Sequence, residues 1–469
     1  MKRLVLISII TILGFVNGLS ATGENFKMTV EAPQFKNQFV LMGYYYNGKT
    51  YASDSIAIND KGIGILKKDE KIPEGIYFFY SSTYYYEFIM AKEQIFSVKL
   101  DTASTANHLT FKGNPQATEF EKYKNFLTHK RTQLDSELAV IDSADTQKRD
   151  AISKKISTEV TTYQKSIIEK YPNSMISTFI NGLIDIEIPE SIKQMPDSTR
   201  GLAQYQYYKK HYFDNVPFDD VRILRTPYFS GKVSSYFNNV LIQNPDSVVE
   251  PVCEVVEKSR LNDTIYRVIA FDAFNYAYKS QIMGMDKVTV ELYDRFFHPD
   301  QEFFADSAFH ESLGKEVEKW RKNLIGSHAY NMNLTSLDGH TFNLYDIENE
   351  YVLVYFFEPS CGHCKKTTPQ IFKDVYPKYK DKGFSMVCIY LQTDKEEWVN
   401  FLDEHQLYGE NWINAWDPNR VSYYWQFFDT STTPGLYLYD KNWKLVAKKI
   451  SPESLDGLLD YELVKNKEK

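Results

Sequence analysis

Residues 351–364 read YVLVYFFEPSCGHC. Tyr351–Phe357 is an unbroken apolar run, the pattern of a parallel strand buried on both faces. Glu358-Pro359-Ser360 makes a short connection. Cys361 then falls where a helix begins, with Cys364 one turn in. A spacing of three brings two sulfurs close enough to join with little backbone movement. A helix N-terminus also offers free N–H groups and the positive end of the helix dipole to Cys361, which favours a thiolate there. An ordinary thiol ionises near a pKa of about 8.5, and comparable sites fall to roughly 3.5–7.5. Each unit is worth about 1.4 kcal/mol of preference for the charged form. His363, between the cysteines, adds to this when protonated or as a hydrogen-bond donor.

Other uses of a Cys-x-x-Cys motif fit less well. A structural zinc site wants a second ligand pair, whereas Cys253 and Cys388 stand alone in apolar surroundings. A c-type haem site needs His directly after the second cysteine, and Lys365 is there. Val354 and Glu358 occupy the Pro and Thr places of a peroxide-reducing cysteine pattern. The motif therefore reads as a redox dithiol, with no metal and no cofactor. Cys253 and Cys388 read as buried free thiols, a bridge between them being the alternative.

Outward from the motif, residues 326–469 alternate strand and helix. Phe384–Leu391 is a second buried strand, and Leu436–Tyr439 and Leu445–Lys449 form a hairpin around Lys441-Asn442. Helices are expected over Cys364–Lys380, Lys395–Glu404 and Pro452–Val464.

Upstream, residues 115–325 change period. Phe120, Tyr123, Leu127, Leu134, Leu138 and Ile141 face Ile152, Ile156, Val160, Tyr163, Ile167 and Tyr171 across a turn at Asp142–Asp145. This is a helical hairpin with an apolar seam. Further helices are expected near 201–213, 247–259, 264–280, 287–297 and 313–324. Asp246-Ser247 and Asp263-Thr264 are expected as N-caps. The segment offers no catalytic constellation, so a structural or docking role is expected.

Residues 22–114 read as short strands at 26–30, 39–46, 55–58, 63–66, 76–80, 84–90 and 96–100. Turn signals at Asn47-Gly48, 59–62 and 73–75 separate them, as in an antiparallel sandwich. Tyr44–Tyr46 and Tyr84–Tyr86 are read as strand core and surface rather than as a carbohydrate- or peptide-binding face. The fold class is thus multidomain: an N-terminal all-β sandwich, a central α-helical segment and a C-terminal α/β domain.

The C-terminal segment resembles the thioredoxin fold, most closely the exported TlpA/ResA-like thiol–disulfide oxidoreductases. The resemblance rests on Gly326, Leu337-Asp338-Gly339-His340, the FFEPSCGHCKK block, Pro369, Asp394 and Thr432-Thr433-Pro434. It implies that Pro434 is cis and faces the dithiol, and that Thr433 pairs by its backbone with a bound substrate segment. Gly362 belongs to the same substrate-facing surface. The β, helical and thioredoxin order also resembles multidomain envelope proteins of Bacteroidetes. Three departures stand out. Ser360 replaces the usual Trp. Tyr355 occupies the place of the buried acid of thioredoxins, leaving Glu358 as the nearest candidate proton acceptor. Cys-Gly-His-Cys is the dipeptide choice of disulfide isomerases.

The N-terminus begins Met1-Lys2-Arg3, continues with the apolar run Leu4–Val16, and reaches small and polar residues by Ala21. This is the layout of a cleaved export signal over 1–21. With no cysteine near the cut, a lipid anchor is not expected, and a periplasmic location is. Lys+Arg number 54 against 62 Asp+Glu, a net charge of −8, so the chain lacks the basic field that nucleic acid would need. The partners expected are protein dithiols or disulfides and an envelope redox partner. The expected activity is disulfide exchange in the reducing direction. The alternatives are an isomerase or oxidase of the same fold, or a non-catalytic envelope partner- or glycan-binding protein whose thioredoxin domain senses redox state.

Overall fold

The computed structural model describes residues 25–104, 108–297 and 307–464. The expected export signal lies outside them. The chain forms two compact units, dividing between Lys232 and Val233. The helical segment expected over 115–325 is shared between the two.

The first unit opens with eight strands: β1 Phe26–Glu31, β2 Phe39–Tyr46, β3 Lys49–Ala57, β4 Ile63–Lys68, β5 Gly75–Tyr80, β6 Tyr85–Met90, β7 Ile95–Leu100 and β8 Leu109–Lys112. They form two four-stranded sheets, in the orders β4-β1-β7-β8 and β3-β2-β5-β6. Only β1 and β7 pair in parallel. Asn47 and Gly48 both take positive φ (46° and 71°), the geometry that lets a two-residue turn match the twist of β2 and β3. Met28, Val30, Met42, Tyr77, Phe79, Phe88 and Val98 fill the space between the sheets. The alternate residues Ile76 and Ile89 point outward and are covered by Phe120, Tyr123, Ile167 and Ile176. Burial on both faces explains why β5 reads as an unbroken apolar run.

Those covering residues come from the expected hairpin, helices Pro115–Ala139 and Thr146–Lys170, and from a short helix Met175–Asn181. The tyrosine clusters are largely occupied with their neighbours. Tyr84 is buried, Tyr44 stacks on Tyr51, and Tyr85 donates to Tyr45, which donates to Glu87 at 2.5 Å.

The second unit begins with helices that include Pro245–Lys258, Asp263–Tyr278, Asp286–Leu292 and Ser307–Lys322. The expected caps need correcting. Asn244 and Asn262 cap the first two, each accepting from the backbone N–H two residues on at 2.9 and 3.0 Å. Pro245 occupies the first helical position, which places the cap before it, and Asp246 and Asp263 fall in the first turns, where the dipole favours their charge.

A seven-stranded sheet follows: β9 Asn333–Ser336, β10 Thr341–Asn343, β11 Tyr351–Phe357, β12 Phe384–Tyr390, β13 Trp412–Trp416, β14 Gly435–Asp440 and β15 Leu445–Lys448, in the order β10-β9-β13-β12-β11-β14-β15. The central strand β11 runs parallel to β12 and antiparallel to β14. Its residues alternate between two cores. Leu353, Tyr355 and Phe357 face helices Gly362–Gln370, Lys395–His405 and Pro452–Leu463. Val352, Val354 and Phe356 face Met332, Leu344, Phe428 and Tyr437. The motif helix passes just after Pro369 into a π turn over Ile371–Val375, then Tyr376–Tyr379. A proline inside a helix lacks the N–H that would continue the bonding pattern, and such a bulge accommodates it. Strands β9, β10 and β13 had no counterpart among the expected elements.

Candidate functional site, a thiol pair at a helix start

The end of β11 delivers the chain to Glu358. The Cys361 N–H then bonds the Glu358 carbonyl at 3.1 Å, closing a tight turn. Cys361 is the N-cap of helix Gly362–Gln370, and its own carbonyl accepts the first helical bond, from Lys365 at 3.0 Å. It is half-buried, whereas Cys364 is wholly buried. Both are free thiols.

The second wall of the site is the segment leading into β14. Thr433-Pro434 is a cis peptide, and both residues are half-buried. The Cys361 sulfur donates to the Thr433 carbonyl at 3.3 Å, across 72 residues of chain. Gly362 is exposed, and a side chain added there would meet nothing within 4 Å, so the surface beside Cys361 is open.

The two sulfurs differ electrostatically. Partial burial pushes the Cys361 thiol up. A side-chain hydrogen bond with Thr433 and bonds from the Cys364 and His363 backbone outweigh it, and the pKa lies below the ordinary thiol value. Burial dominates at Cys364 and pushes it up to about 11, against a backbone hydrogen bond with Glu358. One sulfur is thus set to ionise near the surface while the other is kept protonated beneath it.

The remaining candidates take different places. The His363 side chain is exposed, and it is the His363 backbone that reaches the Cys361 sulfur. The Glu358 carboxylate is half-buried and accepts from Gln392 Nε2 at 2.8 Å. Below Cys364, the buried Tyr355 and Thr368 hydroxyls bond each other at 2.8 Å.

A family described as thioredoxin-like matches residues 349–445, which hold the thiol pair and Thr433-Pro434. The thiol-disulfide oxidoreductase ResA of Bacillus cereus is 27% identical over 161 residues, covering 34% of this chain and 82% of its own. The chain is a multidomain protein of the TlpA/ResA-like thioredoxin type.

A domain of unknown function, DUF5106, matches residues 143–309 of this TlpA/ResA-like protein. Among solved structures, a domain of a possible thiol-disulfide isomerase from Cytophaga hutchinsonii is 32% identical. It covers 31% of this chain and 97% of its own, with a TM-score of 0.29. A thioredoxin-like protein from Bacteroides caccae is 20% identical and covers 59% of this chain and 97% of its own, with a TM-score of 0.48.

Two features of the TlpA/ResA-like domain escaped the motif reading. Thr368 follows Cys364 by four residues, so it shares that sulfur's face of the helix; the spacing was visible but carried no chemistry until Tyr355 was placed against it. The Gln392 contact with Glu358 had no sequence signal, because it joins residues beyond the ends of two adjacent strands.

Proposed function

We propose that this chain exchanges disulfides with protein substrates through Cys361 and Cys364. The coarser class, thiol–disulfide oxidoreductase, is carried by the thioredoxin-like fold and by relatives of that name. The observation that supports the finer reading is the inequality of the two thiols. Cys361 is half-exposed with its pKa lowered, and Cys364 is buried with its pKa raised.

In this reading the Cys361 thiolate attacks a client disulfide, and one client sulfur leaves with the electron pair. Cys364 then attacks Cys361 Sγ, the Cys361–Cys364 bond forms and the second client sulfur leaves. The client gains two electrons and the dithiol becomes a disulfide. The Thr433 backbone and the open surface at Gly362 and Pro434 receive the client segment alongside Cys361.

We take the working direction as reducing, by analogy with ResA-like relatives, and the working compartment as the periplasm, on the signal-like N-terminus. Stabilising the Cys361 thiolate stabilises the reduced form and makes the couple more oxidising. Equilibration against glutathione therefore tests the direction. A potential near the thioredoxin value of about −270 mV fits a reductase, and one near or above about −180 mV moves the assignment to an isomerase or oxidase.

The exchange itself is tested by Cys364→Ser in the native envelope. Mixed disulfides with client proteins are expected to accumulate, and to vanish when Cys361→Ser is added. A Cys364→Ser protein that forms no adduct while Cys361 still alkylates overturns the reading.

A further inference from the structure

Resolution of a mixed disulfide asks a buried sulfur to carry charge. Cys364 is fully buried among Leu353, Phe357, Ile371 and Leu436, an apolar core that disfavours the thiolate. The polar side chains set into this part of the core are Tyr355 and Thr368. Both are essentially inaccessible, and their hydroxyls bond each other at 2.8 Å. Thr368 is one helical turn beyond Cys364 on the motif helix, and Tyr355 and Cys364 belong to the same buried cluster and act on each other electrostatically. The Glu358 carboxylate is engaged with Gln392, and Glu358 meets Cys364 through its backbone. The other titratable groups acting on Cys364 and Tyr355 are Cys361 and Cys388, the latter opposite Tyr355 on β12.

We propose that the Tyr355 hydroxyl, held in place by Thr368, stabilises the Cys364 thiolate by donating a hydrogen bond to it during resolution of the mixed disulfide. The inference rests on the dithiol reading above. Thr368 is a positioning residue: its oxygen fixes the rotation of the Tyr355 hydroxyl and shares its proton when Tyr355 turns toward sulfur. Tyr355 takes no net proton. Cys364 loses its proton to water, its sulfur attacks Cys361 Sγ, the bond from Cys361 to the client sulfur breaks, and the departing client thiolate is protonated. A phenol suits this place because it donates a hydrogen bond without bringing a second negative charge beside the forming thiolate. A carboxylate there would act as a base instead.

Loss of one hydrogen bond to a charged sulfur lowers its ionised fraction by roughly ten- to a hundredfold. The more basic sulfur recovers about half of that, on a logarithmic scale, through greater nucleophilicity. A net slowing of about three- to tenfold is therefore expected for the second chemical step alone.

The test is stopped-flow reaction of the reduced full chain with the chromogenic disulfide dithiobis-nitrobenzoate. Cys361 attack releases one coloured thiolate, and resolution by Cys364 releases a second. In Tyr355→Phe the first phase is expected to keep its rate and pH profile. The second is expected to slow about three- to tenfold at neutral pH, with its profile displaced toward alkali. Thr368→Val should give part of this loss, and Thr368→Ser should restore the wild-type second phase. A Tyr355→Phe second phase unchanged in rate and pH profile overturns the inference. So does equal slowing of both phases, or a second phase slowed by Glu358→Gln but not by Tyr355→Phe. If the wild-type chain releases only one coloured thiolate, the dithiol reading itself fails, whatever Tyr355 does.

Discussion

The Cys361 sulfur and the Thr433 carbonyl oxygen lie 3.3 Å apart, joining the start of the motif helix to the loop before β14. Thr433 is also the leading influence that lowers the Cys361 pKa against partial burial. Alkylation of Cys361 is therefore expected to titrate below the ordinary thiol value of about 8.5. Thr433→Val should move the midpoint up and slow the reaction several-fold at neutral pH, while Thr433→Ser keeps it. The same shift links to stability. A thiol whose folded pKa is lowered stabilises the fold above its unfolded pKa, and the benefit is lost as pH falls through the folded value. Reduced wild type should thus gain on Cys361→Ala toward alkaline pH. A pH-independent difference, measured by denaturant unfolding, would contradict this.

The other three thiols should be silent in the native protein. Cys253, Cys364 and Cys388 are each 2% exposed or less. Burial pushes Cys253 and Cys364 up to about 11 and Cys388 well above the usual range. At neutral pH a thiol of that pKa is ionised about once in ten thousand molecules. Iodoacetamide on the reduced native chain is expected to add one group, at Cys361, and to add four after denaturation. Alkylation without prior reduction that leaves Cys253 and Cys388 unlabelled even when unfolded would reveal a bridge between them.

The thiol pair was legible because its geometry is local: three residues and a helix start set both sulfurs. Thr433 was not legible from spacing, since 72 residues separate it from Cys361, and only resemblance suggested it. Tyr355 stood out as a missing acid, but its use could not be read. An apolar run buried on both faces does not reveal which side chain meets which helix, and the Thr368 partner sits on the far side of a turn. The long strands β2 and β11 were plain because their apolar content is set by the cores they fill. The edge strand β10 and its neighbour β9 have three and four residues and little buried surface, so they carry almost no pattern. Helix caps shifted by one or two residues for a related reason. Several polar residues near a helix start satisfy the same local rule, and Pro245 decided one case by its fixed φ.

In the first unit, Asn114 is a buried junction between sheet and helix. Its Oδ1 accepts from the Ala117 N–H at 2.9 Å, capping helix Pro115–Ala139, and its Nδ2 donates to the Ile89 carbonyl on β6 at 3.2 Å. Asn114→Ala removes the cap and leaves a strand carbonyl without its donor. A loss of about 2–3 kcal/mol is expected in urea unfolding. Asn114→Asp keeps the cap oxygen but turns the donor into a second oxygen facing Ile89, so it should not rescue the loss. Full rescue by Asp would mean that capping alone matters there.

Lys448 ends β15, the edge strand of the second unit's sheet. Its ammonium is buried and bonds the Asp286 carboxylate and the Asn323 carbonyl, tying two helical elements of the second unit to the edge of its sheet. Burial lowers the Lys448 pKa, and Asp286 opposes that shift without cancelling it. A base whose folded pKa is lowered is costlier to keep charged in the fold than in the unfolded chain, so this contribution to stability improves as pH rises. Removing only the cation leaves a partly buried carboxylate and a carbonyl unpaired, and Lys448→Met is expected to cost about 2–4 kcal/mol. Replacing both charges, as Lys448→Met with Asp286→Leu, removes the stranded carboxylate and should recover much of that loss. The double variant should also lose the alkaline gain that the wild type shows. If the double variant is as unstable as the sum of the two single changes, the ion pair contributes nothing of its own and the packing of the two side chains accounts for the whole effect.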